Sequence, residues 1–175
     1  MTAEQRARRR TYRRRALVCL VSAAMIFSAA HLAHAKWRVA VDRSEHACLY
    51  PYRWFLVSLG VPDTQPGQIV TFKAKGIPLY EDGTLFTKQV LAGPGATVQV
   101  GPFGVKVDGV ELPFTDEGLQ LLASSGPGTA FDQAREFTLA EGEIFVTGSN
   151  PRSYDSRYYG PVSVDQLVGS ARPLW

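Results

Sequence analysis

Hydrophobic residues along this chain follow two patterns. The first is a single run of twenty residues, Ala16 to Ala35, with no Asp, Glu, Lys or Arg. As a helix, such a run covers about 30 Å, the thickness of a bilayer core. Beyond Lys36 the apolar residues come in short runs broken by Gly, Pro, Asn and Asp. Arg53–Val57, Gln68–Lys73, Thr84–Ala92, Thr97–Val100, Val105–Val107 and Val110–Leu112 read as strands, and Phe137 to Val146 reads as strand around a Glu141-Gly142 turn. Gly93-Pro94-Gly95 is a turn, and Asp108-Gly109 predicts a tight hairpin. Val39 to Leu59 opens this region and Val162 to Val168 closes it, with one short helix expected over Glu117–Ala123. There is no internal repeat and no long linker. The pattern predicts a mostly-β domain behind one transmembrane helix.

Charge sharpens the division. Residues 1–15 carry seven arginines and one glutamate, whereas residues 16–175 carry 12 Lys/Arg against 15 Asp/Glu. The net positive charge of the chain is therefore a property of a tail, and the domain is mildly acidic, which argues against a nucleic-acid-binding fold. Arginines flanking an apolar run stay in the cytoplasm, so the domain is expected on the opposite side. The expected organisation is a basic cytoplasmic tail at 1–15, a transmembrane signal anchor at 16–35 and an extracytoplasmic domain at 36–175. Ala33-His34-Ala35 also has the small-x-small form of a cleavage site, but the run is long for a cleaved signal, which favours the anchor. Cys19 lies in the apolar run, so Cys48 is the one thiol of the domain and no disulfide framework forms there. The three histidines, His31, His34 and His46, have no partner at ligand spacing in the domain, so neither metal nor cofactor is expected.

Three stretches carry candidate chemistry. Ile144-Phe145-Val146 suits a buried strand. It runs into a turn at Gly148–Pro151 and then delivers Ser153, Asp155, Ser156 and Arg157. This is either a polar site presented by a sheet or a solvated turn with a surface Asp–Arg pair. Alternation in Thr84–Ala92 puts Phe86, Lys88 and Val90 on one face. If that face is inward, burial favours the neutral amine of the lysine, a competent general base; if it is half exposed, Lys88 snorkels. Cys48 is either an inert packed thiol or a nucleophile activated by a base.

Together these stretches resemble the type I signal peptidase family (S26) of serine–lysine proteases, and more closely the TraF-type peptidases of conjugative plasmid transfer. Gly148-Ser149-Asn150 through Ser153-Tyr154-Asp155-Ser156-Arg157 to Gly160 resembles the family box GDNRxxSxDSRxxGxV. Thr87-Lys88-Gln89-Val90-Leu91-Ala92-Gly93-Pro94-Gly95 resembles K-R-V-x-G-x-P-G, and Cys48-Leu49-Tyr50-Pro51 resembles S-M-x-P. The order of anchor and boxes is the family's. Three departures stand out. Cys48 holds the serine position, His46 lies where a hydroxyl residue often helps to hold the oxyanion, and Ser149–Arg152 is one residue shorter and less acidic than usual.

The resemblance implies a domain of coiled antiparallel β-sheets on the periplasmic side of a bacterial inner membrane, with a single-pass anchor. It implies an endopeptidase that cuts exported precursors, a pilin among them, and releases the acyl-enzyme to water or to the substrate's own amine. Cys48 would be the nucleophile, with Ser44 the alternative, and Lys88 the general base. Ser153 would orient Lys88, and Asp155 and Arg157 would brace the loop. The Cys48 N–H would contribute to the oxyanion hole. The competing expectation is a degenerate peptidase that serves as an assembly factor of a transfer or secretion apparatus.

Overall fold

The computed structural model describes residues 3–45, 47–101, 104–112, 134–150 and 152–174. The chain divides into two units, residues 1–37 and 38–175. The first is one helix, α1 (Ala3–Lys36). Arginine, alanine and leucine are all strong helix formers, so the helix runs through the basic segment as well as the apolar one. Composition, not a break in structure, separates the two. Its apolar side chains, among them Leu17, Leu20, Ile26 and Phe27, are exposed. Among the described residues α1 is the one helix long and apolar enough to cross a membrane.

The second unit is mostly antiparallel β. Its strands are β1 (Trp37–Val41), β2 (Trp54–Leu59), β3 (Ile69–Lys73), β4 (Leu85–Ala92), β5 (Thr97–Gly101), β6 (Gly104–Val107), β7 (Val110–Leu112), β8 (Arg135–Thr138), β9 (Glu143–Thr147), β10 (Val162–Ser163) and β11 (Leu167–Pro173). A seven-stranded sheet has the order β1-β2-β11-β3-β4-β9-β10, and a four-stranded sheet has the order β7-β6-β5-β8. Asp108 and Gly109 join β6 to β7 with φ of 51° and 80°, the paired positive values of a type I′ hairpin turn.

Adjacent strands β4 and β9 hold the core together. Val90, Ile144 and Val146 join Val70, Phe72 and Val162 in one cluster. Ala92 and Phe145 join Val98, Val100 and Leu139 in another. Because β9 is covered on both faces, its run Ile144-Phe145-Val146 is apolar without alternation, and each such side chain contributes roughly 1.5–3 kcal/mol. A third cluster, Leu49, Phe55, Val57 and Ala171, lies under the loop that carries Cys48.

The mostly-β expectation holds, with differences at the C-terminus. The expected closing run is split. Ser163 and Gln166 cap a short 3₁₀ turn reciprocally, which redirects the chain. Strand β11 follows and inserts between β2 and β3. Its Gly169 and Pro173 lower strand propensity and hide it in the sequence. One helical turn, α2 (Ser156–Tyr159), forms in what reads as loop, because Asp155 caps it. The helix expected over Glu117–Ala123 lies outside the described residues.

Candidate active site

Strand alternation brings Lys88 inward. Phe86, Lys88 and Val90 share a face, and Lys88 pairs in register with the fully buried Val70. Lys88 is 2% exposed. An amine taken that far from water needs a hydrogen-bond partner. Nζ donates to Ser153 Oγ at 2.6 Å and stands 5.8 Å from the centre of the Phe86 ring.

Ser153 sits in the polar loop between β9 and α2, and that loop is not a solvated turn. Ser153, Asp155, Ser156 and Arg157 are all buried. Arg157 donates to both carboxylate oxygens of Asp155, at 2.7 and 2.5 Å, and to the carbonyl of Asn150 at 2.8 Å. Asp155 also accepts from the backbone N–H of Gly148 and of Arg157. Ser156 Oγ accepts from Val146 N–H. Burial works against the Arg157 cation, but the adjacent Asp155 outweighs it and holds the guanidinium above its ordinary value. A pair of this kind adds little net stability, yet removing one partner strands a buried charge. Next to it, Tyr154 stacks on Tyr80 and packs edge-on to Tyr159. The Tyr159 hydroxyl is buried with no partner among the described residues. Burial first, then the charge of Asp155, raises that phenol.

Cys48 is half-buried on the loop after β1. Its thiol lies 3.7 Å from Ser44 Oγ and also interacts with the Asp42 carboxylate, and the hydrogen bond of Lys88 goes to Ser153 instead. The Cys48 N–H, expected to face an oxyanion, donates to Asp42 Oδ2 at 2.6 Å. Asp42 Oδ1 accepts from Ser44 N–H at 2.9 Å and from the Ser44 hydroxyl. Burial pushes Asp42 up, but the Ser44 hydroxyl, the N–H groups of Cys48 and Ser44 and the Cys48 thiol outweigh it and hold the carboxyl below its ordinary value. Arg53 donates to the carbonyls of Ser44 at 2.8 Å and Glu45 at 3.0 Å, and so grips the same loop.

The two loops meet at Gly148. A Cβ there would fall on the Cys48 carbonyl oxygen and on the Ser153 hydroxyl, so only glycine admits both. Asn150 N–H donates to the same Cys48 carbonyl at 3.4 Å. Ser153 therefore sits between Lys88 on one side and the backbone of Cys48 on the other. Sequence reasoning missed Asp42, Arg53 and the close approach at Gly148. The Asp-x-Ser spacing of Asp42 and Ser44 is the signature of an Asx turn and could have flagged the first. The contacts of the other two are long-range.

The sequence profile described as "Signal peptidase, peptidase S26" matches residues 13–175. The chain belongs to this family of signal peptidases. The chain is 33% identical over 88 residues to the plasmid transfer protein TraF of Escherichia coli, covering 50% of this chain and 49% of that one. It is 32% identical over 88 residues to the conjugal transfer protein TraF of Agrobacterium fabrum, covering 50% and 47%. The matched region thus spans about half the length of each of these curated relatives. A signal peptidase I from Enterococcus faecalis superposes with a TM-score of 0.46 at 26% identity, covering 63% of this chain and 98% of that one.

Proposed function

We propose that this signal-peptidase family member is a membrane-anchored endopeptidase of a conjugative transfer apparatus. It acts outside the cytoplasm on an exported precursor such as a pilin. Cys48 attacks the scissile carbonyl, and a carbon–sulfur bond forms as Lys88 accepts the thiol proton. The oxyanion that develops turns toward the Cys48 N–H. Collapse breaks the carbon–nitrogen bond, and Lys88 returns the proton to the leaving amine. Water or the substrate's own amine then resolves the thioester.

The observation that carries this reading is the buried Lys88 amine on Ser153, in a loop that Gly148 packs against the backbone of Cys48. Ser153 orients the amine, and the Asp155–Arg157 pair fixes Ser153. The exposed apolar surface of α1 behind its arginines supports anchoring, with the basic tail at 1–15 in the cytoplasm and the domain in the periplasm. The likeness to the TraF transfer proteins supports the transfer apparatus as the setting.

A second reading has its own observation. The thiol contacts Ser44 and the Cys48 N–H is bonded to Asp42, as in a peptidase scaffold that has become an assembly factor. Precursor processing in cells that carry Cys48→Ala, Cys48→Ser, Ser44→Ala or Lys88→Ala separates the readings. Precursor should accumulate with Cys48→Ala and Lys88→Ala, while Ser44→Ala still processes it. Processing that survives both of the first two changes overturns the enzyme reading. Loss with Ser44→Ala alone moves the nucleophile to Ser44.

A further inference from the structure

The donors beside Cys48 already hold an anion that belongs to the chain. The Cys48 N–H reaches one oxygen of Asp42, and the N–H and O–H of Ser44 reach the other. The donors are split between the two carboxylate oxygens, so the group withheld from a developing acyl-transfer oxyanion is the Cys48 N–H, held by a charge-assisted hydrogen bond. We propose that Asp42 is the resident occupant of the oxyanion site: its carboxylate takes the Cys48 N–H in the substrate-free chain and must leave before acyl transfer. This rests on the reading of Cys48 as nucleophile.

The alternative role for Asp42, a base toward the thiol with which its carboxylate also interacts, does not fit. Its donors outweigh burial and hold it as an anion of low proton affinity, which suits an acceptor of hydrogen bonds and not of a thiol proton. The direction of the bonds agrees. Ser44 Oγ donates to Asp42, so its oxygen faces the Cys48 Sγ at 3.7 Å as an acceptor. In the resting loop the thiol proton and the Cys48 N–H are thus both engaged. Arg53 holds the loop by the carbonyls of Ser44 and Glu45, so the loop retains a clamp when the carboxylate leaves. A substrate must out-compete an intramolecular partner, and only the released fraction of the protein is competent.

The test uses the full-length chain with Cys19→Ser, so that Cys48 is the one thiol. Two probes are compared by intact mass. Iodoacetamide alkylates sulfur without forming an oxyanion. p-Nitrophenyl acetate acetylates it through a tetrahedral oxyanion; the carbon–sulfur bond forms, the carbon–oxygen bond breaks and p-nitrophenolate leaves. Asp42→Asn should accelerate acetylation about tenfold, the worth of a charge-assisted hydrogen bond, and change alkylation by less than about threefold. Ser44→Ala, which loosens the carboxylate without touching it, should accelerate acetylation about threefold by the same logic. Acetylation that is unchanged in both variants, or that moves in step with alkylation, overturns the proposal. Faster acetylation in chains that never process a precursor would leave the Asp42 assignment standing and sink the peptidase reading.

Discussion

The half of the site carried by β4 and the Gly148–Arg157 loop is buried, whereas the Asp42–Arg53 loop that carries Cys48 is half exposed among its described residues. In the first half Lys88 donates to a hydroxyl, and Asp155 and Arg157 bond each other and the backbone of Gly148, Asn150, Ser153 and Arg157. In the second, one carboxylate and one guanidinium organise Ser44 and Cys48. The contrast suits the division of labour proposed for Lys88 and Cys48. A base must be held out of water in one geometry, while the nucleophile side must admit a peptide and release its N–H.

The comparison can be broken at the lysine first. Lys88→Met should reduce precursor processing about 100- to 10,000-fold, the range of a general base. It removes a buried amine in favour of an apolar side chain, so the thermal midpoint should hold or rise. A fall in midpoint that accounts for the lost activity would make Lys88 structural. Asp155→Ala should cost about 3–5 kcal/mol of stability, because Arg157 is left buried and uncompensated. A cost below about 1 kcal/mol would show that the loop is not the rigid half. Gly148→Ala should cost about 1–3 kcal/mol, the range for overpacking, and should lower the processing rate as well, since it pushes Cys48 and Ser153 apart.

The nucleophile side should respond more weakly. Arg53→Ala should cost about 1 kcal/mol or less while reducing processing, since its bonds are exposed and its role is to order the loop. Acid should have the smallest effect. Asp42 is held below its ordinary value of 3.8, so its contribution is present above that pH and is lost as pH falls through its folded value. The difference in unfolding midpoint between wild type and Asp42→Asn should be constant from pH 5 to 8 and shrink below pH 3.8. A difference that shrinks already between pH 6 and 5 would contradict the hydrogen bonding seen around Asp42.

Legibility followed the same divide. Strand alternation was enough to put Phe86, Lys88 and Val90 on one face, because period two is local, but not to tell an inward face from a half-exposed one. The polar cluster after Ile144-Phe145-Val146 was visible as a site that a strand delivers. Its burial was not, because the solvated-turn reading has the same composition. Asp42 was passed over because the bond that matters spans six residues to a backbone N–H, which no side-chain pattern records. Strand β11 was displaced for a similar reason. Its pairing with β2 and β3 is long-range, and its glycine and proline argue locally against a strand.

The central claim is that Cys48 forms the acyl-enzyme with Lys88 as its base. Its most direct test is intact-mass measurement of the full-length chain, acid-quenched after mixing with the pilin precursor of its own transfer system. The account predicts a thioester adduct on Cys48 that hydroxylamine removes, absent in Cys48→Ala and strongly reduced in Lys88→Met. Cleavage of the precursor at an unchanged rate by Cys48→Ala, with no adduct on the wild type, would contradict it.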